Sequence, residues 1–155
     1  MSINPYILVV DDEPEIRNLV HDILEDEGYT VSTAENGETA RNARRVRRPD
    51  LILLDIWMED IDGISLLREW SESGDLHCPV VMMSGHGTVE TAVEATRLGA
   101  YDFIEKPISL AKLLLTVNRA LRADRLAREK GKASRAKLDA ALTVGTSATV
   151  AGRNL

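Results

Sequence analysis

Apolar and polar positions along the chain follow a repeating order, in which a short apolar run is followed by a segment with helical spacing of apolar residues. Five such runs occur, and Gly, Pro, Asn or Asp residues separate them from the helical segments. The pattern predicts five strands, at Tyr6–Val10, Thr30–Ala34, Leu51–Asp55, Cys78–Ser84 and Asp102–Lys106. It also predicts five helices, which begin near Asp12, Asn36, Gly63, Val89 and Ser109.

The order of these elements predicts a (βα)5 α/β fold with a doubly wound parallel sheet. Runs that are apolar almost throughout, such as LILLD at Leu51–Asp55, are typical of strands that helices cover on both faces. The second run contains Thr30, Ser32 and Thr33 and is predicted to be an edge strand. Right-handed crossovers favour the strand order 2-1-3-4-5, which places a ligand crevice at the carboxyl ends of the first and third strands.

The alternating pattern weakens after Ala123, where Ala, Lys and Arg dominate and leucines are widely spaced. We therefore expect one domain at 1–123 and a helical linker at 124–142, which Gly131 interrupts. The small and polar residues at 143–155 predict a loose tail.

The composition indicates which cellular compartment and which kinds of partner are compatible with the chain. With 155 residues, of which 44% are hydrophobic, the chain can form a packed core, and its single cysteine, Cys78, favours a reducing cytoplasm. The N-terminus lacks the features of a signal peptide, and no apolar run approaches the ~20 residues that span a bilayer. The net charge of -6 argues against nucleic-acid binding by this chain alone.

Carboxylates end the first and third predicted strands, which we expect to be neighbours in the sheet. Asp11 and Asp12 follow the first strand, and Asp55 ends the third. Such close carboxylates raise one another's pKa unless a cation neutralises them, and an all-oxygen site of this kind suits Mg²⁺. Ser84 and Lys106 end the fourth and fifth strands and would add a hydroxyl and an ammonium. These groups together suit the transfer of a phosphoryl group to Asp55, forming a mixed anhydride.

Each of these residues also has a purely structural interpretation. Asp12 is a good N-cap for the first helix, Ser84 could be a turn residue before Gly85, and Lys106 could be a solvated strand end. His86 lies between two glycines, and we do not expect it to be a ligand.

Four segments in this order, VVDDEP, LILLDIWMEDIDG, VVMMSGHG and DFIEKP, resemble the motifs of receiver domains in two-component response regulators. The resemblance extends from about Tyr6 to Leu121 and implies the flavodoxin-like fold of that family. The later part, from Ser84 to Leu121, is similar to the NtrC family and in particular to its NtrX-like branch.

The resemblance implies a phosphoryl acceptor beside a metal site. Asp55 would accept the phosphoryl group, and Asp12 and Asp55 would bind Mg²⁺ directly. Asp11 would bind the ion through a water, and the backbone carbonyl of Trp57 would be a further ligand.

The resemblance also implies a set of switch residues. Ser84 and Lys106 would bind the phosphoryl group, Phe103 would be the switch aromatic, and the Lys106–Pro107 peptide bond would be cis. One position departs from the family, because receivers usually have proline after Met58, where this chain has Glu59. Without the fixed φ of proline, we expect greater mobility in the loop at 56–62.

The resemblance further implies a switch that catalyses only its own phosphoryl transfer and autodephosphorylation. Its donor would be a sensor histidine kinase, and phosphorylation would create a dimer face on the fourth helix, fifth strand and fifth helix. The tail at 143–155 resembles the start of an AAA+ ATPase domain. We therefore expect a piece of a sigma-54-dependent activator of the nitrogen-regulation type, whose absent domains would contact sigma-54 polymerase and DNA.

Three alternatives remain open at this level. A stand-alone adaptor receiver would have no output domain, and a degenerate receiver would work without phosphorylation. A phosphatase of the haloacid-dehalogenase type also uses an Asp nucleophile and Mg²⁺. It needs Asp-x-Asp after its first strand, whereas Asp55 is followed by Ile56 and Trp57.

Overall fold

The structure, a computed structural model, describes residues 4–85 and 88–144, with side chains described as far as residue 131. His86 and nearly all of the predicted tail at 143–155 lie outside the described residues. The strands are β1 (Tyr6–Val10), β2 (Thr30–Ala34), β3 (Leu51–Asp55), β4 (Val80–Ser84) and β5 (Asp102–Glu105). The helices are α1 (Pro14–Asp26), α2 (Gly37–Val46), α3 (Gly63–Glu72), α4 (Val89–Arg97) and α5 (Leu110–Val144).

The five strands form one parallel sheet in the order β2-β1-β3-β4-β5. This confirms the predicted (βα)5 fold, the strand order and the edge position of β2. The register pairs Val10 with Leu54 and Asp55 with Met83. The carboxyl ends of β1, β3 and β4 therefore finish at the same edge of the sheet, where the sequence predicts the crevice.

Helices cover both faces of the sheet, because successive strand residues point to opposite sides. On one face α1 and α5 pack against the sheet, with buried residues Ile7, Val9, Val20, Leu24, Leu51, Leu53, Val81, Met83, Ile104, Leu113, Val117 and Ala120. On the other face lie α2, α3 and α4, with buried residues that include Leu8, Val10, Ala40, Ile52, Leu54, Leu66, Leu67, Trp70, Met82 and Ala95. The apolar runs of the sequence thus form a two-sided core.

The start of α1 corrects one prediction. The N-cap of this helix is Glu13, with extended backbone, and not Asp12. The residue before a proline is disfavoured in helical conformation, so Pro14 takes the first helical position and Glu13 becomes the N-cap. The side chain of Asp12 is consequently not used as a helix cap.

The fourth and fifth strands are shorter than predicted. β4 begins at Val80 and not at Cys78, because Pro79 cannot donate a backbone hydrogen bond to a neighbouring strand. β5 ends at Glu105, one residue before Lys106.

Helix α5 also differs from its prediction, because it runs without a break through Gly131 to Val144. An isolated glycine lowers helix stability by only about 1 kcal/mol, which the flanking Ala, Lys and Arg residues offset. The chain divides into two compact units between Leu121 and Arg122. Among the described helices, none combines the length and the apolar composition needed to cross a membrane.

Candidate functional site

Three carboxylates converge at the carboxyl edge of the sheet. Asp11 directly follows β1, Asp12 comes next, and Asp55 ends β3. Each offers an oxygen within 4.8 Å of an oxygen from the other two. Asp11 is fully buried and Asp55 is 2% exposed, whereas Asp12 is half-buried. The structure thus brings together the acidic residues that the sequence predicts at this edge.

Lys106 provides a positive charge to this acidic cluster. Its Nζ lies 2.9 Å from Asp11 Oδ2, 2.9 Å from Glu13 Oε1 and 3.4 Å from Asp55 Oδ1. Burial disfavours the ammonium form, but the bond to Glu13 and the contacts with Asp11 and Asp55 outweigh burial and raise the pKa of Lys106. The lysine therefore stays protonated and neutralises part of the negative charge in the crevice.

Asp55 is held in an environment that disfavours its charge. Burial is the largest cause, and the neighbouring charge of Asp11 adds to it, while Lys106 acts in the opposite direction. Together they raise the pKa of Asp55 to about 7. A strongly perturbed carboxyl group in a charged crevice is a feature of functional sites.

The donor set fits a small divalent cation. Asp11 Oδ2 is buried, and no donor among the described residues gives it a well-directed hydrogen bond, although Lys106 Nζ is 2.9 Å away. Carboxylate oxygens from Asp11, Asp12 and Asp55 are the ligands that Mg²⁺ prefers. A cation would also offset the repulsion from Asp11, which adds to burial in raising the pKa of Asp55.

Two of the predicted switch residues, Ser84 and Lys106, lie at the same edge, and Phe103 lies further back along β5. Ser84 ends β4, is fully buried, and its carbonyl accepts a 2.9 Å hydrogen bond from the Lys106 amide. Phe103 lies on β5 and packs, partly buried, against the core cluster beneath α2, α3 and α4. The Lys106–Pro107 peptide bond is cis.

Trp57 lies in the loop that follows β3, and its side chain is 55% exposed. The base of this loop is closed by a 2.6 Å hydrogen bond from the Gly63 amide to the Ile56 carbonyl. A Cβ atom at position 63 would overlap the Asp55 carbonyl oxygen, so only glycine permits α3 to begin this close to the end of β3.

Two residues of the site were not predicted from the sequence. Glu13 contacts Lys106, and Gly63 permits the close approach of α3 to Asp55. Glu13 directly follows Asp11 and Asp12, so its position in the sequence could have indicated that it lies near the acidic cluster. For Gly63 the only signal was a glycine after Asp62, which is equally typical of an ordinary helix start.

Residues 7–118 match the sequence model of the response regulator receiver domain. The chain belongs to the response regulator receiver family. A receiver acts mainly as a switch, and this assignment decides against the haloacid-dehalogenase alternative. It agrees with the observed strand order and with the acidic cluster at the edge of the sheet.

The receiver resembles regulators of the NtrX and NtrC type. It is 51% identical over 129 residues to the nitrogen assimilation regulatory protein NtrX of Azorhizobium caulinodans, which covers 79% of this chain and 27% of that protein. The crystal structure of NtrX from Brucella abortus superimposes with a TM-score of 0.78 at 48% identity, covering 84% of this chain and 29% of that chain. The beryllofluoride-activated NtrC4 receiver domain dimer gives a TM-score of 0.72 at 39% identity and covers 77% and 98%.

The chain therefore spans little more than a quarter of the length of the NtrX protein that it matches. The similarity establishes the receiver and its NtrX and NtrC type. The output, the partners and the activity of a full-length protein are matters for proposal.

Proposed function

We propose that Asp55 accepts a phosphoryl group from the phosphohistidine of a sensor histidine kinase, with Mg²⁺ bound at Asp11, Asp12 and Asp55. One observation carries this proposal: a buried aspartate at the end of the central strand shares a crevice with two further carboxylates and a lysine. Asp12 and Asp55 would bind the ion directly, the Trp57 carbonyl would be the third protein ligand, and Asp11 would act through a water.

The transfer is a displacement at phosphorus. A carboxylate oxygen of Asp55 attacks the phosphorus atom, a P–O bond forms, and the P–N bond to the imidazole breaks. The electron pair of that bond leaves with the imidazole nitrogen, which takes up a proton. Bound Mg²⁺ would supply neutralisation of charge on the phosphoryl oxygens. Lys106 lies 3.4 Å from Asp55 Oδ1, so its ammonium stabilises the charge that accumulates on the phosphoryl group.

The phosphoryl group would then reorganise the neighbouring edge. Its oxygens accept hydrogen bonds and add negative charge, which draws the Ser84 hydroxyl and Lys106 toward Asp55. Helix α4 and strand β5 would then repack around Phe103. Because position 103 carries no phenolic hydroxyl, this repacking rests on apolar contacts alone.

The proposed result is a dimer through α4, β5 and α5. Several apolar side chains are exposed on or beside these elements, including Val93, Tyr101 and Leu115. In the whole protein the dimer would control a sigma-54-dependent activator of the nitrogen-regulation type, in the cytoplasm, with sigma-54 polymerase and DNA contacted by further domains. Its similarity to NtrX over a quarter of that protein supports this over a stand-alone adaptor.

The test is incubation with acetyl phosphate and Mg²⁺, followed by intact mass measurement. Wild type should gain one phosphoryl group, and the gain should disappear when the metal is chelated. Asp55→Asn should gain none, because the amide nitrogen that replaces one carboxylate oxygen is a poor nucleophile. Asp50→Asn is the control, since Asp50 receives a hydrogen bond from Tyr6 N near the amino end of the sheet and should leave labelling unchanged. An unlabelled wild type would refute the proposal and favour a receiver that works without phosphorylation.

A further inference from the structure

We propose that Asp60 is a positioning residue, which ties the loop after Asp55 to the start of α2 and so keeps the Trp57 carbonyl in place for the metal. This loop, residues 56–62, is called the acceptor loop below. The effect on the metal rests on the proposed function, but the hydrogen bonds that tie Asp60 to α2 do not involve the metal.

The base of the acceptor loop is held by the backbone. The Gly63 amide donates to the Ile56 carbonyl at 2.6 Å, so the loop leaves and re-enters the structure at nearly the same point. Met58 and Ile61 pack, partly buried, against the core cluster under α2, α3 and α4. The two ends of the acceptor loop are therefore held together, while Trp57 and Glu59 are exposed.

Asp60 holds the tip of the acceptor loop. Its Oδ1 accepts hydrogen bonds from the amides of Gly37 at 2.9 Å and Ile61 at 2.8 Å. Its Oδ2 accepts a third from the Glu38 amide at 3.1 Å. Gly37 and Glu38 are the first residues of α2, so one carboxylate joins the loop to free amides of a helix that begins more than twenty residues earlier.

Sterics reinforce this tie. A Cβ atom on Gly37 would overlap the Ile61 side chain and would crowd the Asp60 carboxylate. The loop thus sits against bare backbone, at a distance that other side chains would not permit.

Helix α2 has a capping box of its own, so the start of the helix does not depend on Asp60 alone. Asn36 and Thr39 form a capping box, in which the Asn36 side chain accepts from the Thr39 amide. The Thr39 hydroxyl accepts in turn from the amides of Glu35 and Asn36. Asp60 is therefore an additional acceptor for the first amides of α2. A substitution in the capping box weakens the start of α2 without a direct change to the acceptor loop, and it can serve as the control.

The tie lies directly beside the predicted metal site. Asp12, Glu35, Asn36, Glu59 and Asp60 line one small cleft of about 150 Å³. Four of these five side chains are carboxylates, and their mutual repulsion would drive the acceptor loop away from Asp12. The amides of α2 oppose that repulsion at Asp60, and a ligand that is already positioned loses less conformational entropy when the metal binds.

Two variants test this inference. Asp60→Ala removes all three hydrogen bonds, and Thr39→Val removes the hydroxyl of the capping box at nearly constant volume. Calorimetric titration with Mg²⁺ should show about tenfold weaker binding for Asp60→Ala, the lower end of the effect expected for residues that orient metal ligands. Thr39→Val should change affinity less than about twofold. Asp60→Asn keeps one oxygen acceptor and should fall between the two, which provides a milder variant if Asp60→Ala folds poorly.

Amide hydrogen exchange in the metal-free protein supplies a second readout. Asp60→Ala should speed exchange of amides at 56–62, whereas Thr39→Val should speed exchange only at the start of α2. Equal losses of Mg²⁺ affinity in both variants, or no loss in either, would overturn the inference. If wild type binds no Mg²⁺, the proposed function fails, and unchanged exchange at 56–62 in Asp60→Ala would separately refute the tie.

Discussion

At the scale of the residue, Asp55 carries a structural cost at the position that we propose accepts the phosphoryl group. The carboxyl group ends the central strand and is 2% exposed, where an unpaired charge would cost several kcal/mol. Lys106, which directly follows β5, lies 3.4 Å from Asp55 Oδ1 and offsets part of this cost. The remaining imbalance, due to burial and to the charge of Asp11, keeps the pKa of Asp55 near 7. A cation bound beside Asp55 would therefore favour its ionised form.

The raised pKa of Asp55 predicts that, without Mg²⁺, the difference in unfolding free energy between wild type and Asp55→Asn changes with pH. The folded-state pKa of about 7 lies above the ordinary aspartate value of 3.8, so the folded protein binds the extra proton and loses stability as pH rises through this window. Asn carries no charge at any pH. The stability of the variant relative to wild type should rise by about 2–3 kcal/mol between pH 5 and pH 8.

Urea unfolding of the metal-free proteins measures this difference directly. Asp102→Asn, on the exposed side of β5, is a suitable reference for the loss of one surface carboxylate. A constant gap between wild type and Asp55→Asn across the pH range would mean that Asp55 is already ionised at pH 5. Adding Mg²⁺ at pH 8 should narrow the gap, because only wild type retains the full carboxylate set.

At the scale of the elements, the junction between β3 and α3 is the tightest part of the site. Gly63 begins α3, its amide closes the acceptor loop, and its Cα lies against the Asp55 carbonyl. Asp62 caps the same helix by accepting from the Ser65 amide at 2.8 Å. The helix start therefore fixes the position of the strand end that carries Asp55.

Gly63→Ala should destabilise the receiver by about 2 kcal/mol or more, because the new methyl group would force backbone to move at a buried junction. Gly85→Ala is the matched control, since a Cβ atom there would make only an ordinary contact with Lys106 at 3.7 Å. Its effect should stay within about 0.5 kcal/mol. Chemical denaturation of both variants decides the matter, and equal effects would show that the overlap at position 63 relaxes easily.

At the scale of the whole molecule, exposed apolar side chains are more frequent on or beside α4, β5 and the start of α5 than on α1. Helix α1 follows the acidic residues at the end of β1, and Leu19 is exposed on it. The segment from α4 to α5 exposes Val93, Tyr101 and Leu115. Several exposed apolar groups on the elements that flank one edge of a sheet are typical of a surface that another protein covers, and this favours the proposed dimer face.

A pair of substitutions with matched exposure tests this face. Tyr101 is 43% exposed and Leu19 is 46% exposed, so glutamate at either position disturbs the core to a similar extent. After phosphorylation, Tyr101→Glu should weaken dimerisation by about tenfold or more, whereas Leu19→Glu should dimerise like wild type. Sedimentation velocity with acetyl phosphate and Mg²⁺ gives the measurement. A phosphorylated wild type that stays monomeric, or equal weakening by both substitutions, would exclude this face.

The sequence by itself determined the elements, their order and the residue types at the strand ends. Local spacing suffices for this, because period-two and helical patterns and apolar content reflect how each segment is buried. The parallel sheet and the acidic ends of β1 and β3 followed from that pattern together with the handedness of the crossovers. The assignment of Asp12 as the N-cap failed, although the restriction that Pro14 places on Glu13 was legible in the sequence.

Only the tertiary structure decided which distant groups meet. Glu13 reaches Lys106 across more than ninety residues, and Asp60 reaches the start of α2 across more than twenty. Neither contact follows from spacing, because the distance between side chains on different elements depends on register, crossover and packing together. The missing proline led to the prediction of a mobile acceptor loop. The hydrogen bonds from Asp60 to α2 could not be predicted, because they depend on how the loop and the helix pack together.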